Sequence, residues 1–126
     1  MIIRSYNPED LSDVVRIHEK FYHEEFSCPD FLKNFICAFT VTHNDEVVSI
    51  GGIRTLPEIV MVTDKDKSVR ARRNALYQVL HASIFVAQKN NYSQLCVEII
   101  NDDKWKTHLG KIGFVPAKGE ILTLPL

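Results

Sequence analysis

Three arginines crowd one short stretch, Val69-Arg-Ala-Arg-Arg-Asn-Ala75, which follows a β-prone run, Glu58-Ile-Val-Met-Val-Thr63, and a polar loop, Asp64-Lys-Asp-Lys-Ser68. A helix that begins here presents unpaired backbone N–H groups and a partial positive charge, which together attract phosphate. Arg70, Arg72 and Arg73 place further cations where the helix dipole already concentrates positive potential, at a cost of roughly 0.3–1 kcal/mol each unless an anion is present. The chemistry offered is phosphate binding, with plain solvation of arginines at a loop end as the alternative. Together with Lys65 and Lys67 the cluster could also meet nucleic-acid phosphates, but no interleaved aromatic residues accompany it for base stacking, so nucleic acid ranks last among its partners.

A second group, His18-Glu-Lys-Phe-Tyr-His23-Glu-Glu25, resembles a helical metal motif and fails on spacing. Two histidines share a metal at i and i+4, whereas a separation of five turns them about 140° apart. No metal is expected. Cys28, Cys37 and Cys96 lie in apolar neighbourhoods, without zinc spacing or the even count of a disulfide framework. They predict reduced thiols and a cytoplasmic protein.

The elements that must position these groups follow from periodicity. A short strand over 2–6 meets Asn7-Pro-Glu-Asp10, a helix start with Asn7 as N-cap, Pro8 in the first helical position and two acids in the first turn. Apolar spacing at Leu11, Val14, Val15, His18, Phe21 and Tyr22 predicts a helix over 8–23. Pro29 and Asp30 ahead of Phe31, Leu32 and Phe35 predict a short second helix over 28–35. Strands over 36–42 and 46–53 form an antiparallel pair around His43-Asn44-Asp45, and Gly51-Gly52 marks a bulge or a close backbone approach. Further strands are expected over 58–63, 93–100, 114–116 and 120–124, with a long helix from 69 to about 89 and a last one over 101–111.

The 126 residues fit a single domain, 1–126, in which roughly two thirds of the unfolded surface is buried. A 45% hydrophobic share with 25% charged residues excludes a disordered chain. The net charge of −1 argues against a general nucleic-acid binder, and no apolar run is long enough to span a membrane. The expected fold is α/β (α+β): a mixed, mostly antiparallel twisted sheet of about seven strands with helices on both faces, in the order βααβββαβαββ.

That order, with three local patterns, resembles the GCN5-related N-acetyltransferase (GNAT) superfamily along nearly the whole chain. Arg70-Ala-Arg-Arg73-Asn-Ala75 is similar to the family's Arg/Gln-x-x-Gly-x-Gly/Ala loop, Lys111-Ile-Gly-Phe114 to the Lys-Leu-Gly-Phe that closes its last helix, and Ile2-Ile-Arg followed by Asn7-Pro-Glu-Asp-Leu11 to its entry into helix one. In its short length and degenerate loop the chain resembles compact members of the family, among which a virus-encoded branch is the origin this resemblance implies.

The resemblance implies acetyl-CoA as co-substrate and a primary amine, on a small molecule or a protein, as acceptor. Its pyrophosphate would lie against Arg70, Arg72, Arg73, Asn74 and Ala75, and its thioester carbonyl against the backbone of Met61 and Val62. Glu58 takes the place of the general base, with a plain exposed strand-end acid as the alternative, and His23, Glu24 and Glu25 form either an acidic rim for a cationic acceptor or a solvated charged helix end. Two departures follow from the same comparison. Arg73 stands where the family prefers Gly, so guanidinium groups would replace backbone N–H groups as phosphate donors. Leu109 stands where a tyrosine often protonates the departing thiolate, leaving Tyr77, Tyr92, His108 or water for that role. A fold relative that has lost catalysis and serves as a binding or assembly subunit is the alternative, and a phosphate or nucleic-acid module is the third; the oligomeric state is open.

Overall fold

The computed structural model describes residues 1–126. By its internal contacts the chain divides into two units, Met1–Cys96 and Val97–Leu126. The first contains β1 (Ile2–Ser5), a 3-10 turn at Pro8–Asp10, α1 (Leu11–Phe21), β2 (Phe35–His43), β3 (Glu46–Arg54) and α2 (Val69–Lys89); the second contains α3 (Asp103–Lys111).

The sheet corrects the sequence-based expectation. It has three strands, not seven, in the order β1-β2-β3, and both pairings are antiparallel. Asn44 and Asp45 close the β2–β3 hairpin as a two-residue loop with φ of 51° and 63°, the left-handed pair whose twist suits a tight hairpin. Gly52 lies opposite Ala38, and a Cβ added there would run into the Cys37 carbonyl, so this position admits only glycine without a shift of the backbone.

The missing strands share a physical reason: β propensity reports a side chain that suits a pleated surface, while a ladder also requires a neighbouring backbone. Along 57–63 the odd-numbered residues are half-buried and the even-numbered ones exposed, the alternation of an extended segment with one covered face. Its only sheet pairing is a single parallel bridge, Glu58 to Cys96, in which Ile59 N–H donates to Cys96 C=O at 2.8 Å and Cys96 N–H to Pro57 C=O at 2.9 Å. That bridge is also all the pairing of the strand expected over 93–100. The segments 114–116 and 120–124 have no strand partner.

The helix expected over 28–35 is also absent. Asp30 holds this stretch as a turn, its side chain accepting from Leu32 N–H at 3.0 Å and its carbonyl from Lys33 N–H at 3.0 Å, and Asn34 leaves in the left-handed region at φ 58°. Helix one ends at Phe21, two residues short of expectation.

Asp10 joins β1, the 3-10 turn and β2. Its buried carboxylate receives both guanidinium arms of Arg4 at 2.7 and 2.8 Å, the backbone N–H of Asn7 at 3.0 Å and the hydroxyl of fully buried Thr40 at 2.8 Å. Arg4 and Thr40 are opposite each other across the β1–β2 ladder, so one carboxylate caps a cross-strand pair. The hydrogen bonds from Arg4, then those from Asn7 and Thr40, hold the Asp10 carboxyl well below the usual carboxylate range against the opposing effect of burial.

α2 begins at Ser68, whose side chain accepts from Ala71 N–H at 3.2 Å, and ends where Asn90 binds back to Val86 C=O at 2.8 Å and Asn91 turns left-handed at φ 63°. Its covered residues are Arg72, Leu76, Leu80, Ser83 and Ala87, one stripe at helical spacing. No helix is long and apolar enough to cross a membrane.

Candidate functional site

The start of α2 carries the densest charge. Over 64–73 five cations, Lys65, Lys67, Arg70, Arg72 and Arg73, face two carboxylates, Asp64 and Asp66. The loop ahead of the helix is shaped by Asp64, whose carboxylate accepts from Asp66 N–H at 2.9 Å and whose carbonyl accepts from Lys67 N–H at 3.4 Å. The chain's ion pairs are Arg4–Asp10 and Arg16–Asp13, and Glu24 lies beside His23, so none of the five cations is neutralised by a partner carboxylate.

The helix register separates the three arginines. Arg70 and Arg73 are three residues apart on the exposed side of the first turns, while Arg72 heads the covered stripe. Arg72 Nε is buried and has no hydrogen-bond partner. A buried guanidinium N–H without an acceptor is destabilising, and a phosphate oxygen is the acceptor that best matches its planar fork.

The helix also changes what its backbone offers. Because α2 starts at Val69, the stretch Arg70–Ala75 is not a loop but the first two helical turns. Ser68 takes the N–H of Ala71 on its side chain and that of Arg72 on its carbonyl, so the Val69 and Arg70 N–H groups remain for an anion. Arg73, Asn74 and Ala75 have their N–H groups inside the helix, which leaves only their exposed side chains to touch a ligand.

The remaining sequence-derived residues are spread over several elements. Glu58 is exposed and stands opposite Cys96, to which its neighbours Pro57 and Ile59 are hydrogen-bonded. Met61 is half-buried, whereas Val62 is 96% exposed. Tyr77 follows Arg73 by one turn on α2 and is 37% exposed, with its ring centroid 6.3 Å from that of His81. Tyr92 is occupied by Thr55, the two hydroxyls lying 3.2 Å apart. His108 stacks on Trp105 within α3 at 5.8 Å.

His23, Glu24 and Glu25 are exposed in the turn after α1, with His23 Nε2 3.6 Å from Glu24 Oε1. His18 Nε2 instead meets the Phe26 carbonyl at 2.6 Å, so the two histidines have separate partners. No hydrogen bond or ion pair joins Glu58 or His23–Glu25 to the arginines. The site brought together is thus the arginine cluster with the first turn of α2.

Sequence reasoning gave Arg72 the same role as its neighbours and missed its inward position. The signal was present: Arg72, Leu76, Leu80, Ser83 and Ala87 recur at helical spacing, and the polar residue at the head of an otherwise small or apolar stripe is the one to single out. No protein-family model, curated protein or solved structure matches the chain.

Proposed function

We propose that the start of α2 binds the diphosphate of acetyl-CoA and that the protein transfers the acetyl group to a primary amine. The observation that carries the binding half is the buried Nε of Arg72, which lacks an acceptor, at the head of a helix whose other leading cations, Arg70 and Arg73, have no carboxylate partner. A diphosphate supplies oxygens for the exposed guanidinium groups of Arg70 and Arg73 and for the free N–H groups of Val69 and Arg70, and for Arg72 once its side chain turns out of the covered stripe. The choice of acetyl-CoA over other diphosphates rests on the GNAT resemblance. Free thiols at Cys28, Cys37 and Cys96 agree with a cytoplasmic setting.

Acetyl-CoA supplies an activated thioester; transfer forms a C–N bond, breaks the C–S bond and moves a proton from the amine to a base. Exposed Glu58, at the head of the extended segment 57–63, is our base, and Tyr77, one turn beyond Arg73, our proton donor to the thiolate. His23, Glu24 and Glu25 would attract a cationic acceptor, on a small molecule or a protein.

A second reading, a binding or assembly subunit without catalysis, is favoured by Leu109. This residue stands where the family's tyrosine is expected, is 3% exposed and is the buried side chain of α3, so it has no proton to donate.

Calorimetry and turnover separate the readings. Acetyl-CoA is expected to bind the wild type, and Arg70→Ala with Arg73→Ala together to weaken it by about 1–3 kcal/mol, the scale of charge-assisted hydrogen bonds. Unchanged affinity in the double variant would show that these arginines are only solvated. Glu58→Gln is expected to slow acetyl transfer while leaving acetyl-CoA affinity intact; an undiminished rate removes Glu58 as base. Binding without turnover on any amine selects the subunit reading, and salt-sensitive binding of RNA or DNA in place of acetyl-CoA selects the phosphate module.

A further inference from the structure

We propose that Ser68 is a phosphorylation site whose phosphate, once attached, occupies the anion position at the start of α2. Ser68 is exposed, directly ahead of the helix, and its Oγ accepts from Ala71 N–H at 3.2 Å. That contact uses a lone pair and leaves the hydroxyl proton to be lost on transfer. Transfer from a nucleoside triphosphate forms the Oγ–P bond, breaks the P–O bond to the departing diphosphate and releases that proton. A serine kinase supplies the catalysis. Lys65 and Lys67 ahead of Ser68 and Arg70 beyond it suit a kinase whose substrate cleft is acidic.

The helix start suits the product of that reaction. Phosphoserine carries about −1.5 to −2 charges at pH 7 and three acceptor oxygens, and it orders a segment where it meets a helix N-terminus or an arginine cluster. Ser68 stands at both. The helix dipole favours acids in a first turn, yet α2 has none there and begins with arginines instead. Arg72 is four residues beyond Ser68, and its backbone N–H donates to the Ser68 carbonyl at 3.0 Å. Side chains on a helix lean toward its N-terminus, so the Arg72 stem rises from the next turn on the side of Ser68. Its buried Nε lacks an acceptor, and turned out of the covered stripe the guanidinium meets one on a phosphate fixed at Ser68. Covalent attachment keeps that phosphate at the helix start at a high effective concentration, which a free anion lacks. The consequence for ligand binding rests on the acetyl-CoA reading: a tethered phosphate takes the donors that the diphosphate needs, so modification closes the site.

The test treats the full chain and Ser68→Ala with magnesium ATP and a serine kinase that selects basic substrates. The wild type should take up phosphate at Ser68, mapped by mass spectrometry, and Ser68→Ala should not. The modified chain should unfold about 3 °C higher than the unmodified one, and Arg72→Met should reduce that gain. Phosphorus resonance should show the second ionisation of the phosphate below its ordinary value of about 6, as cations hold the dianion. Acetyl-CoA affinity should fall about tenfold or more on modification. Where Ser68→Ala fails to fold, the mapped position in the wild type decides. An unmodified Ser68 overturns the proposal, as does a phosphate there that titrates near 6 and leaves the unfolding midpoint unchanged. Unmodified protein that binds no acetyl-CoA removes that ligand alone, because neither the midpoint nor the phosphorus titration involves it.

Discussion

Two polar residues in covered positions have opposite circumstances, and each gives a prediction of opposite sign. Asp10 is fully satisfied, by Arg4, Asn7 and Thr40. Asp10→Asn removes the charge from all of these contacts and should destabilise the fold by about 2–3 kcal/mol in denaturant unfolding, the cost of disrupting buried hydrogen bonds to an ionised group. Because folding lowers the Asp10 pKa, its contribution is complete above the unfolded value near pH 4 and declines as pH falls below it. Wild type should therefore lose more stability than Asp10→Asn on acidification below about pH 4. Arg72 is the contrary case. Arg72→Met keeps the stem and removes the orphaned Nε, so it should stabilise the ligand-free protein by about 1 kcal/mol while weakening acetyl-CoA binding. A variant unchanged in both respects would show that Arg72 has no ligand-directed role. Of these residues the sequence revealed Asp10 as part of a helix start through Asn7-Pro-Glu-Asp10, because capping is a local relation. It did not reveal Arg4 or Thr40 as partners, since Thr40 lies thirty positions away and comes into reach only through the β1–β2 register.

Elements were legible where their determinants are local. The hairpin follows from His43-Asn44-Asp45, of which Asn44 and Asp45 tolerate the left-handed pair of φ angles, and α2 from its apolar stripe, while its caps at Ser68 and Asn90 are seen only in the structure. The segments 58–63, 93–100 and 120–124 have the residues of strands but not the pairing, because alternating or continuous apolar residues describe a surface fit for a sheet without naming the strand beside it. Phe31-Leu-Lys-Asn-Phe35 is a turn and not a helix: Pro29-Asp30 suits a helix start as well as an Asx turn, and Asn34 decides between them. Hydrogen exchange checks the result strand by strand. Amides that β2 shares with β1 and β3 should be protected, whereas those of Val60, Val62 and 120–126 should exchange at rates of open chain. Protection across 58–63 and 120–124 equal to that of β2 would restore the larger sheet. Gly52→Ala should lower stability by forcing β3 away from the Cys37 carbonyl, measured as a shift in the unfolding midpoint; no shift would mean that the hairpin yields there.

At the scale of the molecule, an almost neutral chain concentrates cations at one helix start. The concentration itself was legible in sequence, because charge needs no partner to be counted. What it holds was not, because Arg70 and Arg73 differ from Arg72 only in the direction they take around α2. The rest of the implied chemistry, from Glu58 to His23–Glu25, is spread over elements that no hydrogen bond or ion pair links to that cluster. Binding at α2 is accordingly the claim on which the enzyme reading depends. It is tested most directly by titrating acetyl-CoA into isotope-labelled protein and following the backbone amide and arginine side-chain resonances. Saturable shifts are expected, centred on Val69, Arg70 and the Nε–H of Arg72, with the Arg72 resonance moving most as it gains its acceptor. Unmoved Val69–Arg73 signals in the presence of excess acetyl-CoA would contradict binding at α2.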